Sequence, residues 1–240
     1  MWSSLARLRE LRRALTLAAA GLLLAALSLP VWRITLEAPQ YPDGLFVEMY
    51  AYPRMGGDFE EVNALNRYVG FYYPDPVYIE PNFPVHEFSV QTPEWLLGPV
   101  VFLGLAALCV FVAIAPNERK LKLGIKSLLA GTATLFVVMF AWIQFRLYQA
   151  GNSLDPNAPL RGVDSFTPPL LGWYEVANIS GFAWFGPGGY LTMLAVALLG
   201  IAYLLRDSDA EIGESPALVR SLLDDIERKI DRVRAQARRR

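Results

Sequence analysis

The chain is poor in the side chains from which most active centres are built. Its 240 residues include one cysteine, Cys109, and one histidine, His86. A single cysteine forms neither an intrachain disulfide nor a thiol-pair redox centre. Cys109 also lies in an apolar run, where a thiol usually serves as a small buried hydrophobe. With one histidine there is no imidazole pair for b-type haem, and no Cys-x-x-Cys-His stretch for covalent haem. No phosphate-binding Gly-x-x-x-x-Gly-Lys loop is present, and His86 offers no context in which a Ser–His–Asp set can be placed. Charge is scarce too: 19% of residues are Asp, Glu, Lys or Arg, against about 25% in soluble domains. The basic residues are not interleaved with aromatics in a patch suited to nucleic acid. These absences exclude the familiar catalytic constellations and point to a non-enzyme.

Four long windows are nearly free of charge. They span residues 14–32, 95–115, 127–147 and 185–205, each near the ~20 residues that cross a bilayer as a helix. Lipid offers no partner for an open strand edge, so each span must be helical. The first window follows the basic stretch 1–13 and resembles a signal peptide. At about 19 residues, however, it exceeds a signal core of roughly 7–15. It also ends in Leu-Pro-Val-Trp-Arg, which is no small-x-small cleavage site. It reads as a retained transmembrane helix. Transporters usually carry ionisable groups at mid-bilayer and internal repeats, and these windows have neither.

Orientation follows from Lys and Arg in the loops. The stretch 1–13 carries 4, the link 116–126 carries 4 and the tail 206–240 carries 9, while segments 33–94 and 148–184 with the span ends hold 5. The expected protein is therefore an α-helical membrane protein with four transmembrane helices and both termini cytoplasmic. Residues 33–94 and 148–184 would form a small α+β extracytoplasmic head. The expected location is a bacterial cytoplasmic (inner) membrane.

The polar, aromatic stretch 38–75 is the centre of that head. Leu45–Tyr52 reads as a strand. Asp58 and Glu61 fit a capping box, Val62, Leu65 and Val69 fall on one helical face, and Gly70 can end the helix. Val77–Glu80 suits a second strand. In the second outer segment, 168–180 reads as a short interfacial helix. The tail from Ser215 starts at Ser215-Pro216 and repeats apolar residues at Val219, Leu223, Ile226, Ile230, Val233 and Ala237. That is a heptad seam, expected as a cytoplasmic amphipathic helix that pairs with another helix, lies on an anionic membrane surface, or stays solvated.

Three groups of residues are candidates for a site. Asn63, Asn66 and Arg67 share a face at i, i+3 and i+4. Burying them without partners would cost ~1–3 kcal/mol for each unsatisfied group, so they should hold the second outer segment through Asp164 or Glu175, or meet a partner protein. Arg146 sits one turn from the end of the third window, where a charge is costly unless paired or snorkelled; Glu175 or Asp164 is the expected partner. His86 with the thioethers of Met49 and Met55 could offer soft ligands to copper.

The stretch 37–71 also carries recognisable blocks. Leu36-Glu37-Ala38-Pro39-Gln40-Tyr41-Pro42-Asp43-Gly44-Leu45, Asn63-Ala64-Leu65-Asn66-Arg67-Tyr68-Val69-Gly70-Phe71 and Phe166-Thr167-Pro168-Pro169-Leu170-Leu171-Gly172 resemble a family of small four-helix membrane proteins. That family is found beside nitrous-oxide reductase maturation and copper-handling genes. The resemblance implies an accessory or assembly subunit of a cell-envelope metalloenzyme system, with copper delivery as the alternative and a small transporter behind it. Arg67 stands where the family has His, and Phe71 where it has Met.

Overall fold

The computed structural model describes residues 10–74, 87–162, 164–176, 178–208 and 210–214. Within them the chain is α+β: five α-helices and one five-stranded antiparallel sheet. Helix α1 is Leu11–Ala26, followed by strands β1 (Trp32–Ala38), β2 (Tyr41–Met49) and β3 (Met55–Gly57) and helix α2 (Phe59–Val69). A 3₁₀ turn at Pro93–Leu97 leads into α3 (Gly98–Ala113), and α4 (Glu118–Gly151) follows. Strands β4 (Gly172–Val176) and β5 (Ile179–Phe185) precede α5 (Pro187–Leu204), and a final 3₁₀ turn covers Ile212–Glu214.

Three of the helical segments are long and apolar enough to cross a membrane: Pro93–Ala113, Glu118–Gly151 and Pro187–Leu204. Helix α1 is 16 residues long, about 24 Å at 1.5 Å per residue. It stops well short of residue 32, because Pro30 cannot continue a helix and Trp32 is already paired in the sheet. The basic residues of 118–126 are helical, forming the first turns of α4. At 34 residues this helix is about 51 Å long, so its basic start and its Gln144–Gly151 end project beyond an apolar layer of ~30 Å.

The helices pack through small residues. Ala19, Ala20 and Ala26 of α1 and Ala195 and Ala202 of α5 are buried in one cluster with Phe102, Leu105, Cys109, Leu121, Ile125 and Leu199. Alanine leaves no side-chain bulk between the axes, so α1 lies close against α5 and α3.

The sheet order is β3-β2-β1-β5-β4, with every pair antiparallel. Its central strands grow directly out of the helix pair: α1 runs into β1, and β5 runs into α5. Backbone bonds lock this junction, Gly186 N to Val31 O at 3.0 Å and Gly188 N to Pro30 O at 2.8 Å. The glycines are needed for the approach. A Cβ on Gly186 would sit 2.4 Å from Pro30 O, and one on Gly189 2.4 Å from Val31 O. The sheet therefore stands on the helices as a fixed head.

One sheet face is filled. Val62, Leu65 and Val69 of α2 bury against Ile34, Leu36, Leu45, Val47, Ile179 and Ala183. Fully burying a side chain of this kind contributes ~1.5–3 kcal/mol, enough to hold an 11-residue helix that would be marginal alone. Gly70 ends α2 at φ 89°, with its N–H and that of Phe71 closing on Arg67 O and Asn66 O.

Three local expectations need correction. The strand read at Leu45–Tyr52 starts earlier, at Tyr41, and ends at Met49. Asp58 does not cap α2 with its side chain; its Oδ2 accepts the backbone N–H of Phe46 at 3.0 Å instead, because β2 lies alongside. The stretch 168–180, expected as an interfacial helix, is strand at Gly172–Val176 and again from Ile179, because the two pieces pair with each other and the second also pairs with β1. The strand expected at Val77–Glu80, His86 and the heptad tail from Ser215 lie outside the described residues.

Candidate functional site

At the head end of α4 one turn of helix fastens two parts of the molecule. Arg146 donates from Nε to Glu94 Oε1 at 2.6 Å and from Nη2 to Glu94 Oε2 at 3.2 Å, and from Nη1 to Gln149 Oε1 at 3.0 Å. The indole N–H of Trp142 donates to the same Glu94 oxygen at 2.7 Å, and the guanidinium lies 5.2 Å from the Trp142 ring centroid. The i,i+4 spacing of Trp142 and Arg146 puts ring and cation on one helical face. Glu94 thus accepts three hydrogen bonds in a half-buried setting. The expected partners of Arg146, Glu175 and Asp164, are not used: Glu94 precedes α3, which lies beside α4, and meets the guanidinium at the same level.

Gln144, on a neighbouring face, holds the second loop of the head. Its Nε2 donates to Pro168 O at 3.1 Å, and its Oε1 accepts from Leu170 N at 2.8 Å. Gly151 admits Phe166 O so closely that a Cβ would lie 1.9 Å away.

Between α4, α2 and the filled sheet face lies a small cavity of about 30 Å³, whose lining includes Trp32, Asn66, Phe71, Tyr73, Leu147 and Tyr174. The indole N–H of Trp32 is buried without a hydrogen-bond partner among the described residues. Asn66 hydrogen-bonds Tyr73, whose phenol burial pushes well above its usual range, and burial pushes that of Tyr174 up to about 12. These hydroxyls stay protonated at any physiological pH. The space suits water rather than an organic ligand, since one water needs ~10–15 Å³ of such volume.

The α2 residues divide. Asn66 turns into the cavity, Asn63 is half-buried, and Arg67 is exposed. Among the described residues Arg67 makes no ion pair with Asp164 or Glu175 to hold the second segment. The backbone holds it: Asp155 N donates to Gly70 O at 2.9 Å and Leu160 N to Tyr68 O at 3.1 Å. A main-chain contact of this kind leaves no mark in residue type beyond Gly70 itself, where a Cβ would sit 2.9 Å from Asp155 O. Asp164 and Glu175 line a separate open hollow with Arg161 and Ser165.

Met49 and Met55 are brought together. They face each other across the β2–β3 pair at one register position, which places such Cβ atoms ~4.5–5.5 Å apart. Among the described residues no three His, Cys, Asp or Glu side chains cluster as a metal group.

A second polar cluster, at the tail end of the helices, went unread in the sequence because Arg12 and Arg13 look like an ordinary basic flank. They are 2% and 3% exposed. Arg13 Nη1 donates to Ala113 O at 2.6 Å and Ala115 O at 2.8 Å, and Arg12 Nη1 to Arg206 O at 2.6 Å. These carbonyls lie at or just beyond the ends of α3 and α5, where cations are favoured. Both arginines also bond Glu10 Oε2, at 2.9 and 3.1 Å, and Arg12 reaches Glu118 at 3.2 Å. Burial alone would raise the Glu10 carboxyl, but the two guanidinium bonds outweigh it and hold it below its ordinary value. Leu11 N donates to Ala210 O at 2.9 Å, which seats the root of the tail on the same cluster. The signal, in hindsight, is that Arg12 and Arg13 stand beside an apolar helix face carrying Thr16, Ala19 and Leu23.

No family model matches the chain, and neither a curated protein nor a solved structure matches it.

Proposed function

We propose that this chain is a non-catalytic membrane accessory or assembly subunit of a cell-envelope metalloenzyme system. Helices α1, α3, α4 and α5 would span the bacterial cytoplasmic (inner) membrane, with both tails inside and the head outside. One observation carries the reading: the head is braced for display. Its central strands continue the α1 and α5 helices, Arg146 and Gln144 fasten its base and its second loop, and one face of its sheet is left uncovered by the described residues. Rigid mounting with an open face serves a protein that positions another better than one that must close on a substrate. Removing the gene and measuring metal bound per molecule of the envelope metalloenzymes tests this. Loss of metal from one of them, restored by the wild-type chain, supports it; an unchanged metal inventory sinks it.

A copper-binding or delivery role is the second reading, because Met49 and Met55 share a register position and thioethers favour monovalent copper. Copper retained by the purified protein, and lost in Met55→Leu and His86→Ala, would raise it above the first.

A further inference from the structure

The uncovered face of the sheet has an ordered composition. Antiparallel register sets its outward side chains in three rows. Glu48, Arg33 and Trp184 form the row nearest the helices; Phe46, Thr35, Phe182 and Trp173 form the middle row; Glu37, Ser180 and Glu175 form the far row. Rows are ~6.7 Å apart, two residues of strand rise. Trp173 is 74% and Trp184 41% exposed, unusual for indoles unless something covers them.

The rings are arranged as a surface. Trp173 and Phe182 centroids are 4.5 Å apart, and Phe182 and Trp184 lie 5.8 Å apart with planes only 10° from parallel. Three carboxylates, Glu37, Glu48 and Glu175, flank them, against one guanidinium. Among the described residues none of the three acids forms an ion pair. Arg33 already lies 4.4 Å over the Phe46 ring, Arg161 lines the hollow beside Glu175 without pairing with it, and the Trp184 indole N–H donates to Tyr190 Oη at 2.8 Å; among the described residues no cation lies over the Trp173, Phe182 or Trp184 rings. Ring faces carry negative potential and attract ammonium and guanidinium groups. Rings and carboxylates here ask for the same charge.

We propose that this face docks a basic segment of a partner protein, whose Lys or Arg side chains stack on Trp173 and Trp184 and pair with Glu37, Glu48 and Glu175. Zwitterionic lipid headgroups suit it less well, since each brings a phosphate toward the same carboxylates. The inference rests on the accessory reading for the existence of a protein partner, and adds that partner's chemistry.

The test uses the purified full chain and a fluorescein-labelled decapeptide alternating Arg and Gly, with a Glu–Gly decapeptide as control, read by anisotropy. Binding of the basic peptide alone is expected, weakening as salt rises from about 50 to about 500 mM. Glu37→Gln with Glu175→Gln, or Trp173→Ala, should weaken it about fivefold or more, with melting temperature unchanged in the exposed Glu variant and slightly lowered in Trp173→Ala, whose ring packs on Phe182. Glu60→Gln with Glu61→Gln, on the exposed start of α2, should leave it unaltered. No binding of the basic peptide, equal loss in the α2 variant, or Trp173-dependent binding to phosphatidylcholine vesicles in its place would overturn the proposal. Because no metalloenzyme is present, its failure is separate from failure of the accessory reading.

Discussion

Glu94 and Arg146 meet as a two-bonded carboxylate–guanidinium pair, Nε to Oε1 at 2.6 Å and Nη2 to Oε2 at 3.2 Å, across the gap between the start of α3 and the end of α4. Along its middle α4 is little covered by protein: Val137, Val138, Trp142 and Phe145 are all exposed. At its head end Leu147, Ala150 and Gly151 are buried, and the bonds of Arg146 and Gln144 add to that packing.

Arg146→Gln should lower stability in detergent by about 1 kcal/mol. Paired charged hydrogen bonds are worth more than that, but both groups are partly exposed and screened. Glu94→Gln should cost a similar amount, and the double variant less than the two together. Chemical melts of the three variants check this; strict additivity would show that the pair is not coupled.

The junction glycines should be intolerant. Gly189→Ala places a methyl on Val31 O and should destabilise by about 1–3 kcal/mol through overpacking. Gly200→Ala, where a Cβ meets nothing within 4 Å, should be neutral or stabilise by up to about 1 kcal/mol through helix propensity. Equal melting temperatures for both would contradict the locked junction.

The tail-end clamp should respond to acid. Glu10 titrates below its usual 4.5 in the folded protein. Its contribution is complete above that value and is lost as pH falls through the lowered folded value. Wild-type stability should then drop on acidification more than that of Glu10→Gln. Arg13→Met, which leaves Glu10 short of a partner and the Ala113 and Ala115 carbonyls bare, should cost about 3 kcal/mol at neutral pH.

Arg67→Ala should change stability by less than about 0.5 kcal/mol, as expected for an exposed side chain that forms no ion pair among the described residues. Asn66→Ala, which strips a polar contact beside the cavity, should cost about 1–2 kcal/mol. Urea titration of both separates them, and a reversed order would mean that Arg67 holds the loop after all.

Reporter fusions at Asp75 and Asp164 should both report the extracytoplasmic side. A cytoplasmic signal at either would refute the proposed orientation.

Much of this architecture was legible because its causes are local. Hydrophobic windows set where apolar helices lie. The i, i+3, i+7 spacing of Val62, Leu65 and Val69 set the buried face of α2, and Gly70 set its end, since only a residue without a Cβ adopts φ 89° at little cost. What the sequence left open depended on pairing across long separations. Strands β1 and β5 are 143 residues apart at the paired Glu37 and Ser180, counted by position, yet neighbours in the sheet. Their strand character comes from each other's backbone groups and from a junction that stands them on α1 and α5, and β4 in turn pairs only with β5 among the described residues, so Gly172–Val176 read as a helix. Partners of charge were equally undetermined: Arg146 announced a need for an acid, but Glu94 was chosen by which helices run side by side. Arg12 and Arg13 looked like solvent-facing flank until the ends of α3 and α5 brought bare carbonyls to them. Sequence fixes where a charge sits along its own helix; only the packing of helices decides what that charge meets.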